Sequence, residues 1–154
     1  MSVLAVVRPD SWNLPLFIHV LGAMILVGGL LTGAAALGFA RGEARFLRLG
    51  YWSLLAVSLP GYVLMRIGAQ WIYSREGWDD LPDGVDDPAW LGIGLITADL
   101  GGLILLVSLI AGGVGVYRLR EGKGAGLLKV TLVLSLVLLA AYVVAVWVMA
   151  GKPE

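Results

Sequence analysis

The chain has no cysteine, a single histidine and only 14% charged residues in 154. Without thiols it has no disulfides, thiolate metal sites, cysteine-ligated iron–sulfur clusters or c-type haem attachment. One histidine leaves no second imidazole for a metal centre built within one copy. The formal net charge is zero and the charges sit mostly between apolar runs, so nothing points to nucleic acid. A phosphate loop, a nucleophile beside a base and paired carboxylates within an apolar run are all missing, and no enzyme class is indicated.

What fills the chain is hydrocarbon. Hydrophobic residues make up 59%, with 22 glycines, and the mean hydropathy is +0.89. Four apolar runs, at about 14–40, 49–73, 90–117 and 127–150, are each long enough to cross a bilayer core, which takes about 20 helical residues. The expected fold is all-α: one integral membrane domain over 1–154, a polytopic four-helix bundle with the lipid bilayer as its main solvent. The first run is well beyond the 7–15 residues of a signal-peptide core and is expected to be a retained span.

Local signals mark the ends of these spans. Asp10 or Ser11 caps the first, with Trp12 at interfacial depth, and Asp86 or Asp87 caps the third, with Pro88 in its first turn. Pro60-Gly61 should kink the second. Arg41, Arg45, Arg48, Arg118, Arg120, Lys123 and Lys129 account for seven of the 11 Lys and Arg and flank the first and third connections. The bias of basic residues places those connections in the cytoplasm and both termini outside, in a multi-pass protein of the plasma (inner) membrane. The connection at 74–89 is acidic, with Glu76, Asp79, Asp80, Asp83, Asp86 and Asp87 against Arg75, and reads as a solvated outer loop rather than a calcium site. Trp78 and Trp90 would lie at headgroup level around it. The richness in Ala, Gly, Leu, Val and Arg suits a GC-rich bacterial source.

Three residues are out of place in hydrocarbon: His19, Arg66 and Asp99. Counting from the outer helix ends at about 1.5 Å per residue gives depths of roughly 8, 10 and 13 Å, all in the outer half. An isolated charge there is unfavourable by a few kcal/mol, so Arg66 and Asp99 are expected to pair across the second and third spans. Tyr62, Arg66, Gln70 and Tyr73 share one stripe of the second helix, and Tyr142 of the fourth reaches similar depth. The expected binding cluster is therefore His19, Arg66, Asp99, Tyr62, Gln70 and Tyr142, with His19 and Asp99 pointing into the bundle. Gly22, Gly29, Gly33, Gly92, Gly102 and Gly113 are expected to be packing positions. Gly29-x-x-x-Gly33 would serve the bundle or a homodimer equally.

His19-Val20-Leu21-Gly22 followed by Val27-Gly28-Gly29 resembles the opening helix of the copper-resistance protein D superfamily and of related small four-span bacterial membrane proteins of unknown function. Those families commonly begin with a histidine near the outer end of the first helix and a Gly-Gly pair about two and a half turns later. The resemblance implies a membrane redox or metal-resistance role, with haem b or copper held by His19. The chain departs from the pattern at Leu26 and Val27, where a tryptophan usually precedes the glycines. Its thioethers besides Met1 are Met24, Met65 and Met149.

Three functions follow from these readings. One is ion, proton or small-molecule handling at the polar cluster, in its own right or as an accessory subunit of a larger membrane complex. Another is the haem or copper protein that the resemblance implies. The third is a purely structural or assembly role in which the cluster locks helix register.

Overall fold

The computed structural model describes residues 13–77 and 89–151. The expected caps Asp10, Ser11, Asp86, Asp87 and Pro88, the tryptophans Trp12 and Trp78, and the loop carboxylates from Asp79 to Asp87 lie outside the described residues.

Among the described residues the chain forms helices joined by short turns, with no strand. Helix α1 spans Asn13–Gly38, α2 Ala44–Ser53, α3 Leu59–Glu76, α4 Ala89–Arg118 and α5 Ala125–Gly151. A π-helical turn, Leu54–Ser58, joins α2 to α3, so Ala44–Glu76 is one continuous helical span. It sits just ahead of Pro60, which lacks an N–H and whose ring crowds the carbonyl four residues back; widening the helix there, with Leu59 N–H bonding to Leu54 O, accommodates the ring. Among the described residues four helical units are long and apolar enough to cross a membrane: α1, α2 with α3, α4 with its short 3₁₀ extension, and α5. Such a chain is a multi-pass membrane protein.

The α1–α2 and α4–α5 connections meet at one end of the bundle, where Leu37, Arg41, Leu128 and Lys129 line a shared depression. The second connection turns through Gly122 and Gly124, at φ 70° and 106°, a region that side chains with a Cβ enter only with strain. We refer to this as the basic end and to the opposite one, where α1 begins and α3 finishes, as the far end.

Helix α1 lies against α2 and α3 along a seam of small residues. Gly22 and Gly29 on α1 and Gly61 and Gly68 on α3 each recur after seven residues, about two turns, so they stay on one face. At Gly22 the neighbour is the main chain of Met65, at Gly29 it is Ser58, at Gly61 the main chain of Leu26 and at Gly68 that of His19. Gly33 completes the seam against Leu54 and Gly50. Backbone approaches this close give the dispersion contacts that hold helices together where lipid and side chains are equally apolar. Gly29 and Gly33 are thus used inside the chain, and their G-x-x-x-G face is not free for a second copy. Ser53 adds a hydrogen bond across the seam, its hydroxyl donating to Gly29 O at 3.0 Å.

The other pairing, α4 with α5, uses larger residues and buried hydroxyls. Ser108 and Thr131 exchange contacts with each other's carbonyls at 3.5 and 3.4 Å, and Ser135 donates to Thr131 O at 2.8 Å. Towards the basic end the two pairs lock together, with Tyr51 of α2 packed on Gly112 and Gly113 of α4. The core here is Leu30, Leu37, Leu54, Leu105, Leu109, Leu128 and Leu138. Of the expected packing glycines, Gly102 meets the Tyr62 ring and Gly113 the Tyr51 hydroxyl, whereas Gly92 meets nothing: a methyl added there falls in open space.

Candidate functional site

Towards the far end the two helix pairs separate, and a cleft of about 920 Å³ opens between them. Its walls are drawn from one face each of α1 between residues 16 and 28, α3 between 65 and 76, α4 between 90 and 98, and α5 between 142 and 150. Leu16, Glu76, Trp90 and Ala150 lie within a few residues of helix ends, and the floor lies eight to twelve residues deeper, about 12–18 Å at the rise of an α-helix. The cleft therefore reaches the middle of the spans.

Arg66 reaches from α3 to Asp99 of α4, Nη2 to Oδ1 at 2.5 Å. The expected contact forms, yet the two partners face different surroundings. Arg66 lines the cleft, whereas the Asp99 side chain is 61% exposed on the outside of the bundle and takes no part in the lining. The expectation that Asp99 points inward is corrected by the rotation of α4. Tyr62 donates its hydroxyl to Ala98 O at 3.1 Å, Ala98 and Gly101 are buried, and Asp99 follows Ala98 by about 100° around the helix. The pair thus bridges the α3–α4 seam as a strap, with Arg66 on the inner side.

His19 lies on the α1 wall. Its Nδ1 is 3.0 Å from Met65 O, and because a carbonyl can only accept, Nδ1 carries the hydrogen. In the neutral ring that leaves Nε2 with the lone pair. Gly68 makes this contact geometrically accessible by letting α3 approach the main chain of His19 directly.

Tyr142 stands at the floor on α5. It is 5% exposed, packs on Gly101, and its hydroxyl has no hydrogen-bond partner. Arg66 Nη1 is also buried without a partner. Tyr142 and Arg66, both lining the cleft, therefore contribute two donors that protein atoms leave unused. Gln70 does not join them. It is exposed on α3 and absent from the cleft wall, because the lining residues Met65, Ala69, Ile72 and Glu76 lie on the other flank of Arg66.

Sequence reasoning missed the glycines Gly61 and Gly68, which set the α1–α3 distance, and the thioether lining. Met24, Met65 and Met149 all border the cleft, Met149 in contact with Gly94. The seven-residue recurrence of Gly61 and Gly68 was a usable signal. Among the described residues no group of three or more His, Asp or Glu is placed to hold a metal ion. No protein-family model, curated protein or solved structure matches the chain.

Proposed function

We propose that this is a small-molecule-binding integral membrane protein whose binding site is the far-end cleft. The observation that carries this reading is the pair of buried, unpartnered donors, Tyr142 hydroxyl and Arg66 Nη1, in a cavity of about 920 Å³. Buried polar groups in native proteins are nearly always satisfied, and membrane interiors offer little water to do it. Cavities of 300–1,000 Å³ with mostly apolar walls and a few convergent polar groups are typical ligand sites. The clustering of basic residues at the opposite end supports an orientation in the plasma membrane with the cleft opening outward. Handling the ligand alone or as a subunit of a larger complex is compatible with the same site.

The test is native mass spectrometry of gently released protein. A small-molecule adduct on the wild type that is absent from Gly28→Phe is the expected result. Gly28 lines the cleft and a Cβ there meets nothing, so a bulky side chain can be introduced at this wall without a backbone clash at its root. Identical spectra for the two proteins would overturn the proposal.

A second reading has its own support. Metal-bound histidines generally donate their other ring N–H to a carbonyl or carboxylate, which orients the ring and holds the ligating nitrogen unprotonated. His19 has this arrangement through Met65 O. His19 would hold haem b or copper through Nε2, and the Met24, Met65 and Met149 thioethers that border the same cleft are ligands of the type copper(I) accepts. Together with the first-helix resemblance to copper-resistance protein D, this makes a redox role the alternative. A Soret band in the purified protein that disappears in His19→Ala would establish it, and a colourless, metal-free preparation would remove it.

A further inference from the structure

The floor of the cleft offers donors but no spare positive charge. One edge of the Arg66 guanidinium is held by Asp99, while Nη1 is buried and has no partner. Tyr142 contributes an O–H at 95% burial, since it is 5% exposed. Tyr62 adds nothing further, because its hydrogen is committed to Ala98 O. A ligand group seated here must accept hydrogen bonds. Were that group a carboxylate or phosphate, the guanidinium would face two anions and the site would become net negative at mid-span, where dielectric shielding is weak. An uncharged carbonyl group accepts from such donors without adding charge.

The remaining walls specify the other end of the ligand. Between α1 and α5 the cleft is bordered by Val20, Met24, Val143 and Val146, all exposed on the bundle surface and all apolar. That side is open to acyl chains, whereas the α3–α4 side is strapped by Arg66 and Asp99. An apolar tail therefore has a lateral exit in the membrane plane and no polar group to pass.

We infer that the cleft binds an uncharged amphiphile, its carbonyl head on Arg66 Nη1 and the Tyr142 hydroxyl and its hydrocarbon tail leaving between α1 and α5. This rests on the cleft being a ligand site and adds the ligand class. Lipid-soluble quinones and acyl glycerol esters share this chemistry.

Three probes with ten-carbon chains separate the alternatives on the detergent-solubilised full chain: decylubiquinone, monodecanoin and decanoate. Saturable binding of either neutral probe, at least tenfold tighter than decanoate, is expected. A preference for decylubiquinone assigns the quinone class, a preference for monodecanoin the glycerol ester class, and equal binding the shared head group. Tyr142→Phe, which changes no packing atom but the hydroxyl, should weaken the neutral probe about tenfold, the equivalent of one hydrogen bond. Decanoate binding as tightly as the neutral probes, or an unchanged affinity in Tyr142→Phe, overturns the inference, as does the absence of saturation by all three. The first of these outcomes removes only the head-group assignment. The cleft itself is judged separately, by whether Gly28→Phe abolishes the native adduct.

Discussion

Gly68 lies directly on the main chain of His19, with no side chain between the two helices at that point. This contact brings the Met65 carbonyl within reach of the imidazole and fixes the α1 wall of the cleft relative to α3. Packing and site geometry are the same fact here, because a hydrogen bond of 3.0 Å between separate helices survives only while their separation is held.

Gly68→Ala should therefore destabilise the bundle, since the new methyl meets backbone atoms that cannot rotate away. Overpacking of this type costs typically about 1–3 kcal/mol. Gly92→Ala, whose methyl meets nothing, should be neutral or stabilising by up to about 1 kcal/mol through reduced chain entropy. Thermal unfolding of both variants in detergent measures the difference, and equal behaviour would mean the seam is not tightly packed.

The Arg66–Asp99 strap is expected to show a non-additive pattern. Arg66→Leu leaves a carboxylate at mid-span, for which membrane-insertion scales give about 2.5–3.5 kcal/mol. Arg66→Leu combined with Asp99→Leu removes both charges and should lose less stability than the single change. A double variant as unstable as the single one would show that the pair is not what holds α3 to α4.

His19 can be dissected by choosing which nitrogen survives. His19→Asn retains an N–H near the Nδ1 position and should keep the bond to Met65 O, while His19→Ala loses it. The loss should be about 0.6 kcal/mol, with a ceiling near 1.7, the range found for such bonds between membrane helices. Both substitutions remove Nε2, so a function that needs the second nitrogen, such as haem ligation, should disappear in both. If His19→Asn matches wild type in stability and in absorbance, the imidazole serves only the α1–α3 seam.

The helices were legible because each apolar run announces its own solvent: the transfer of some 20 residues into hydrocarbon depends on composition, not on neighbours. The Arg66–Asp99 partnership was legible for a related reason, since two opposite charges at similar depth have few other partners. Gln70 and Asp99 were misplaced because helical spacing shows which residues share a face but not which way that face is turned. Asp99 ended outside and Ala98 inside once Tyr62 bonded to the Ala98 carbonyl. In the same way Gly92 and Gly102 are indistinguishable as letters, and only one of them meets a ring.

The amino-acid order alone thus determined that the chain is helical, how many of its helices are long and apolar enough to cross a bilayer, and that Arg66 and Asp99 pair. Tertiary structure decided which face each helix presents, which glycines are contacts, and that a cleft with two unsatisfied donors lies between the pairs. The division has a physical cause. In α1, α4 and α5 apolar residues run all the way round, so lipid-facing and buried sides carry the same hydropathy. Rotation is then set by close approach and cross-helix hydrogen bonds, which exist only after the helices have met.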